Sequence, residues 1–251
     1  MSDDRVRLRA TFDSVAELYD RVRPGYPAAL FDDLARLAGV GPGCRVLEIG
    51  PGTGQLTVPL AERGCEIVAV ELGPRLAAVA RRKLRDFPGA EVVTGDFETW
   101  PLPAERFDLV IAATAAHWLD PAVATAKTAA ALRPGGRIAT VETHHIAGGT
   151  SAYFVDAQDC YLRHDPATTE FFRQPRAADI DGDGAAGRYE RDQAYCTAEY
   201  LDLLRTYSST LGLPARAAAD LLRCLGALID GRYGGRIVKR YLTQLRLTTP
   251  A

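Results

Sequence analysis

Cysteine is scarce in this sequence, and an excess of positive charge is missing altogether. The five cysteines, Cys44, Cys65, Cys160, Cys196 and Cys224, are odd in number and widely spaced, with no Cys-x-x-Cys pair. That spacing suggests neither a zinc ribbon nor a disulfide framework, so reduced and mostly buried thiols are expected. Lys and Arg number 30 against 32 Asp and Glu, a formal net charge of −2. A chain so balanced lacks the electrostatic footprint of general nucleic-acid binding, and nucleic acid is not expected as a partner. No apolar stretch reaches bilayer-spanning length, and the opening segment from Met1 to Ala10 is charged, without the apolar stretch of a secretory signal. The expected setting is the cytoplasm, with no membrane partner.

With 251 residues, 47% of them hydrophobic, the chain can bury one good core, and a single domain with a modest elaboration is expected. Apolar runs of strand length alternate with helical patterns between residues 44 and 141, the signature of a parallel sheet covered by helices. Strands are predicted at 45–49, 66–71, 90–94, 107–112 and 136–142, and helices at 57–63, 74–87 and 123–132. Pro134-Gly135-Gly136 stops the last of these helices and turns the chain into the fifth strand. Ahead of the core, helices at 12–19 and 27–38 flank Arg23-Pro24-Gly25-Tyr26-Pro27. Behind it, strands at 188–196 and 236–247 are separated by helices at 197–207 and 214–230. The expected division is a helical cover over 1–40, a ligand-binding core over 41–142, a lid insertion over 143–187 and a closing unit over 188–251.

The most informative segment is Glu48-Ile49-Gly50-Pro51-Gly52-Thr53-Gly54, directly after the first strand. Its glycines form a turn without side chains, which lets backbone approach a ligand at the N-terminus of the next helix. The dinucleotide pattern G-x-G-x-x-G fails, because the third glycine position is Gln55 counted from Gly50 and Thr57 counted from Gly52. Glu71 ends the second strand in register with this loop, where a carboxylate can accept hydrogen bonds from both hydroxyls of a ribose.

The order E-x-G-x-G-x-G, then Glu71, then Gly95-Asp96-Phe97, then Phe107 to Trp118, then Leu132-Arg133-Pro134-Gly135-Gly136 resembles the motif series of class I S-adenosylmethionine (SAM)-dependent methyltransferases. The cover around Tyr19, Arg23 and Tyr26, together with His117-Trp118 and the stretch from Tyr200 to Ser208, is similar to a small-molecule branch that includes trans-aconitate methyltransferases. The resemblance implies a Rossmann-like α/β fold with a mostly parallel seven-stranded sheet, an antiparallel last strand, helices on both faces and an insertion after the fifth strand. It implies SAM as cofactor, held by Tyr19, Arg23, Glu48, Gly50, Gly52, Gly54, Gln55, Glu71, Leu72, Asp96, Phe97, Thr114 and Trp118. Glu48 would position the amino-acid part of SAM indirectly, and Asp96 would face the adenine amino group with Phe97 beside the ring. A small-molecule acceptor is implied, methylated on a carboxylate or hydroxyl oxygen. Two alternatives stand beside this reading: a catalytically silent SAM- or partner-binding protein, and a nucleotide-dependent oxidoreductase.

Methyl transfer from an activated sulfonium needs mainly alignment, and a base only when the acceptor must lose a proton. His117 and His144 are the candidate bases by position, at the carboxyl ends of the fourth and fifth strands, where open α/β sheets bind ligands. His144 and His145 should point to opposite faces, so that one at most reaches substrate. Tyr153, Phe154, Tyr161, Phe171 and Phe172 are expected to divide between lining the acceptor pocket and anchoring the lid. Asp179, Asp181, Asp183, Gly184 and Glu190 fit a calcium-loop template, but Pro175 and Ala186 spoil its context. The segment is read as a surface turn, and no metal site is expected.

Overall fold

The computed structural model describes residues 11–165 and 174–250. Seven strands form one sheet: β1 (Arg45–Ile49), β2 (Glu66–Glu71), β3 (Ala90–Thr94), β4 (Phe107–Ala113), β5 (Leu132–Ile146), β6 (Ala185–Cys196) and β7 (Arg236–Thr248). Their order is β3-β2-β1-β4-β5-β7-β6. Neighbours from β3 to β5 run parallel, whereas β7 runs antiparallel to both β5 and β6. This is the Rossmann-like arrangement expected above.

The central strands carry continuous apolar runs because both of their faces are covered, as parallel sheets require. Val46, Leu47, Leu109, Val110 and Ile111 are all buried. Three crossover helices accompany them: α3 (Thr57–Glu62), α4 (Pro74–Leu84) and α5 (Pro121–Ala131). Asp120 starts α5 by accepting the N–H groups of Ala122 and Val123, the usual way a side chain satisfies free donors at a helix start. The strand order reverses beside β1, between β1 and β4, and opens a crevice at their carboxyl ends.

The N-terminal cover is a 3-10 turn over Phe12–Val15, helix α1 (Ala16–Val22) and helix α2 (Ala28–Ala38), rather than one helix over 12–19. Asp13 Oδ1 accepts the N–H groups of Arg75 at 2.6 Å and Leu76 at 3.0 Å, so a side chain of the cover caps the N-terminus of α4. Ion pairs Arg82–Glu17 and Lys83–Asp20 extend the same contact.

A second apolar cluster lies beyond β5. Helices α6 (Ser151–Asp156), α7 (Gln158–His164), α8 (Thr197–Leu204), α9 (Ser208–Leu211) and α10 (Ala215–Arg232) surround it. Tyr153, Leu203, Leu225, Ile229 and Ile237 are buried there. Tyr153 is an anchor, as the aromatic pattern allowed, while Phe171 and Phe172 lie outside the described residues. Cys160 on α7 and Cys224 on α10 form a disulfide across 64 residues of sequence. This corrects the expectation of reduced thiols: spacing in sequence carries no information on two cysteines that tertiary packing brings together. Among the described residues, no helix is long and apolar enough to cross a membrane. The acidic segment is a turn before β6, with Asp179 accepting from the Arg176 backbone and Asp181 paired with Arg246.

Alkylation of the denatured, unreduced protein is expected to label Cys44, Cys65 and Cys196 and to spare Cys160 and Cys224. Replacing Cys160 with Ser should lower unfolding free energy by about 2–4 kcal/mol. Labelling of all five thiols by mass spectrometry would refute the pairing.

Candidate active site

The loop after β1 meets the sheet at very short range. Gly50 has φ +67°, and a Cβ there would come 2.8 Å from the Ala115 Cβ. Only glycine fits that approach. Gly52 also has a left-handed φ, +59°, and a Cβ there would meet Gln55 Oε1 and Tyr19 Cε1 at an ordinary contact distance of 3.8 Å, so here it is the backbone conformation rather than crowding that favours glycine. Gly54 plays a different part: it abuts Ala80 of α4 and holds α3 and α4 together.

Glu71 ties this loop to the next one. Its Oε2 accepts the Gly52 N–H at 2.9 Å and its Oε1 accepts the Gly73 N–H at 2.8 Å. Each oxygen keeps a lone pair for a further donor. Burial to 6% exposure pushes its carboxyl above the ordinary range, opposed by those backbone donors. Glu48 is 1% exposed, and its Oε2 has no hydrogen-bond partner among the described residues. Burial, with the neighbouring Glu71 charge adding to it, pushes the Glu48 carboxyl up to about 8.

At the exit of β4, Thr114 sits at φ +52°, a conformation costing a non-glycine residue about 1–2 kcal/mol. Its N–H donates to the Val141 carbonyl at 2.7 Å, which locks β4 against β5 at this point. The side chains of Phe12, Trp118 and Tyr19 form an edge-to-face aromatic wall, with Phe12 5.9 Å from Trp118 and 6.2 Å from Tyr19.

These groups surround one cavity of about 950 Å³. Tyr19, Arg23, Glu48, Gly50, Gly52, Gln55, Glu71, Leu72, Phe97, Thr114 and Trp118 line it, as do His117 and His144. Two of the residues assigned to the cofactor do not. Gly54 packs helices, and the Asp96 carboxylate accepts the Glu98 N–H at 3.0 Å while its neighbours Gly95 and Phe97 face the cavity.

His117 stacks near Trp118, 4.8 Å between ring centres, and burial lowers its pKa against the opposing charge of Glu142. His144 Nε2 stands 3.4 Å from Glu142 Oε2. Both His144 and His145 line the cavity, although they are successive residues of an unbroken ladder with β7. His145 is pushed down to about 2 by burial and by the Lys239 charge.

Sequence reasoning assigned no role to Tyr26, Glu142, Arg191, Tyr207, Lys239 or Tyr241, which all line the cavity. Lys239 had a signal: on β7 it alternates with Ile237 and Tyr241, positions that face the interior.

Residues 47–140, the part of the chain that builds the glycine loop and its crevice, match the family profile described as a methyltransferase domain. That stretch of the chain is similar to methyltransferase domains. An uncharacterised methyltransferase of Mycobacterium tuberculosis is 40% identical over 141 residues, which are 56% of this chain and 55% of that protein. An uncharacterised methyltransferase of Geobacillus kaustophilus is 35% identical over 141 residues, 53% of this chain and 65% of that protein. The match thus spans little more than half the length of the first of these relatives. In structure, a protein of Anaeromyxobacter dehalogenans provisionally called a type II methyltransferase superposes with a TM-score of 0.62 at 24% identity, over 91% of this chain and 99% of that one. The residues present fit SAM, the cofactor that the resemblance implies. The buried Glu48 oxygen without a partner, the Gly52 backbone in the cavity lining and the strand-end carboxylate of Glu71 offer acceptors and a side-chain-free edge at one end of the cavity.

The raised Glu48 pKa predicts a stability effect with a definite sign. The buried carboxyl is favoured protonated, so its burden on folding is absent below about pH 4.5 and grows as pH rises to about 8. Glu48→Gln should therefore stabilise the ligand-free protein at pH 8, by roughly 1–3 kcal/mol, and leave it unchanged near pH 4.5. Urea titrations at the two pH values test this; equal effects at both would remove the assignment.

Proposed function

We propose that the chain is an enzyme that transfers the methyl group of SAM to an oxygen of a small-molecule acceptor, mainly by holding the two in line. The observation that carries the reading is the cavity itself. Its one end has the glycine loop, Glu48 and Glu71, and it continues past Trp118 and His117 into a second compartment walled by α6, α7, α8 and β7. A ligand pocket of this volume accommodates a cofactor and a compact second molecule. The proposed holders of SAM are Glu71 for the ribose hydroxyls, Phe97 for the adenine face, and Tyr19, Gln55, Thr114 and Trp118 for the rest. The bound sulfonium supplies an electrophilic methyl, so the protein needs no nucleophile of its own.

Alignment and exclusion of water fall to the cover and to the helices behind β5. A hydroxyl acceptor must also lose its proton, and His117 is the proposed base. Its lowered pKa keeps the imidazole neutral, hence able to accept a proton, at pH 7. A carboxylate acceptor would leave His117 only a positioning part.

Isothermal titration should give micromolar-scale binding of SAM and of its demethylated product, S-adenosylhomocysteine, and none of NAD. Gly52→Val should weaken SAM binding more than tenfold, because its side chain enters the cavity lining rather than the core. Preference for NAD would overturn the reading.

With a hydroxyl acceptor, His117→Ala is expected to lower kcat about a hundredfold and to erase the rising limb of the pH–rate profile, which should lie below the ordinary imidazole range. A folded variant with wild-type rates across that range would leave His117 as a wall residue only.

A further inference from the structure

The cavity is electrically divided. Glu48 and Glu71 stand at the glycine-loop end, and Glu142 is engaged with His144 at 3.4 Å and Arg246 at 3.7 Å. Across the cavity the ionic groups are Arg23, Arg191 and Lys239. Lys239 is 4% exposed. Its Nζ donates to the Tyr207 hydroxyl at 2.9 Å and lies over the faces of the Tyr207 and Tyr241 rings, 5.0 and 5.2 Å away. Among the described residues no carboxylate pairs with it.

Arg191 stands beside it in the sheet. It is opposite Tyr241, and Gln193 is opposite Lys239, so the strand pairing places Arg191 and Lys239 diagonally on one face. Arg191 Nη2 donates to the Gly25 carbonyl at 2.7 Å, and its Nε is buried without a hydrogen-bond partner among the described residues. The opposite face of the same strands behaves differently. There Arg240 makes a two-pronged pair with Asp192, at 2.7 Å for each bond. The cation on the outer face has its carboxylate, and among the described residues the pair on the cavity face has none.

Taking an ammonium out of water is expensive, and aromatic faces recover only part of the loss. A fold that keeps one at a cavity wall, beside a guanidinium with a vacant buried donor, is complementary to an anion. Two neighbouring groups register the resulting positive field. Burial pushes the Tyr207 phenol up, yet the charges of Lys239 and Arg23 outweigh burial and hold it below its ordinary value. His145 is driven down by burial and by Lys239.

We propose that Lys239 and Arg191, with the Tyr207 hydroxyl that accepts from Lys239, form a subsite for an oxyanion group of the methyl acceptor, so that the substrates are small molecules bearing a carboxylate or phosphate. Arg23 supports the subsite from behind: its guanidinium holds Thr206 through Oγ1 and the carbonyl and stacks on Tyr207 at 4.6 Å. An oxyanion paired with two cations is a poor nucleophile, since its charge is already neutralised. It therefore serves as the handle, and a second group on the same molecule receives the methyl. The inference rests on the methyltransferase reading for the word acceptor, but the anion site itself can be measured without turnover.

The test uses the full chain saturated with S-adenosylhomocysteine, in low-chloride buffer. Succinate, inorganic phosphate and neutral succinamide are titrated by calorimetry and by thermal melting, on the wild type, Lys239→Met and Arg191→Gln. Saturable binding of succinate or phosphate, none of succinamide, and at least a tenfold weaker anion affinity in each variant would bear the subsite out. Succinate alone would identify carboxylate recognition, and phosphate alone a phosphate ester. Lys239→Met should also melt higher than wild type without anion, because an uncompensated ammonium has gone, and should bind S-adenosylhomocysteine within twofold of wild type. Absence of anion binding, or equal affinity in wild type and both variants, would overturn the proposal. So would a Lys239→Met protein that melts lower yet binds anions unchanged, which would make Lys239 a packing residue. Should Lys239→Met fail to fold, Arg191→Gln decides alone. Failure of S-adenosylhomocysteine to bind the wild type would instead strike the methyltransferase reading.

Discussion

Most of the site hangs on the carboxylate of Glu71. It joins the loop after β1, through Gly52, to the loop after β2, through Gly73. Gly73 opens α4, and α4 is capped from outside by Asp13 of the cover. Three segments remote in sequence are thus referred to one side chain. Buried hydrogen bonds to a carboxylate are among the strong ones, and losing a partner strands the other group. The loop glycines answer to the same constraint: the close approach of Gly50 to Ala115 is possible only while the loop stays where Glu71 holds it.

How much of this could be read from the sequence depended on the kind of force involved. Strands β1, β2 and β4 were legible to within a residue because both faces of a parallel sheet's inner strands are covered, which writes a continuous apolar run. The edge strand β3 was legible from its β-branched residues and its bounding turns. The glycine loop and Glu71 were legible because their spacing is local. Departures came where geometry is set by packing across long separations. The 64-residue span between Cys160 and Cys224 leaves no periodic trace. Gly54 and Asp96 were named from the motif by spacing alone; their packing against Ala80 and the Glu98 N–H is a tertiary detail that spacing does not record. His144 and His145 are successive residues of one ladder, yet both line the cavity.

The cationic wall shows a related limit. The place of Lys239 on an interior-facing register is visible in the sequence, but its burial follows from β7 lying between β5 and β6, since an edge strand would have let its ammonium reach water. The antiparallel insertion of β7 thus turns a residue type that usually lies outside into a fixed internal charge.

The two boundaries of the cavity are fastened by unlike means. At the front, the cover is held to α4 by Asp13, by the exposed pair Arg82–Glu17 and by the half-buried pair Lys83–Asp20, contacts that dissolved ions screen to different degrees. At the back, α7 is bolted to α10 by a covalent bond that ionic strength cannot touch. The enclosure is therefore mechanically lopsided. Added salt slackens the grip of the front and leaves the tie at the back as it was.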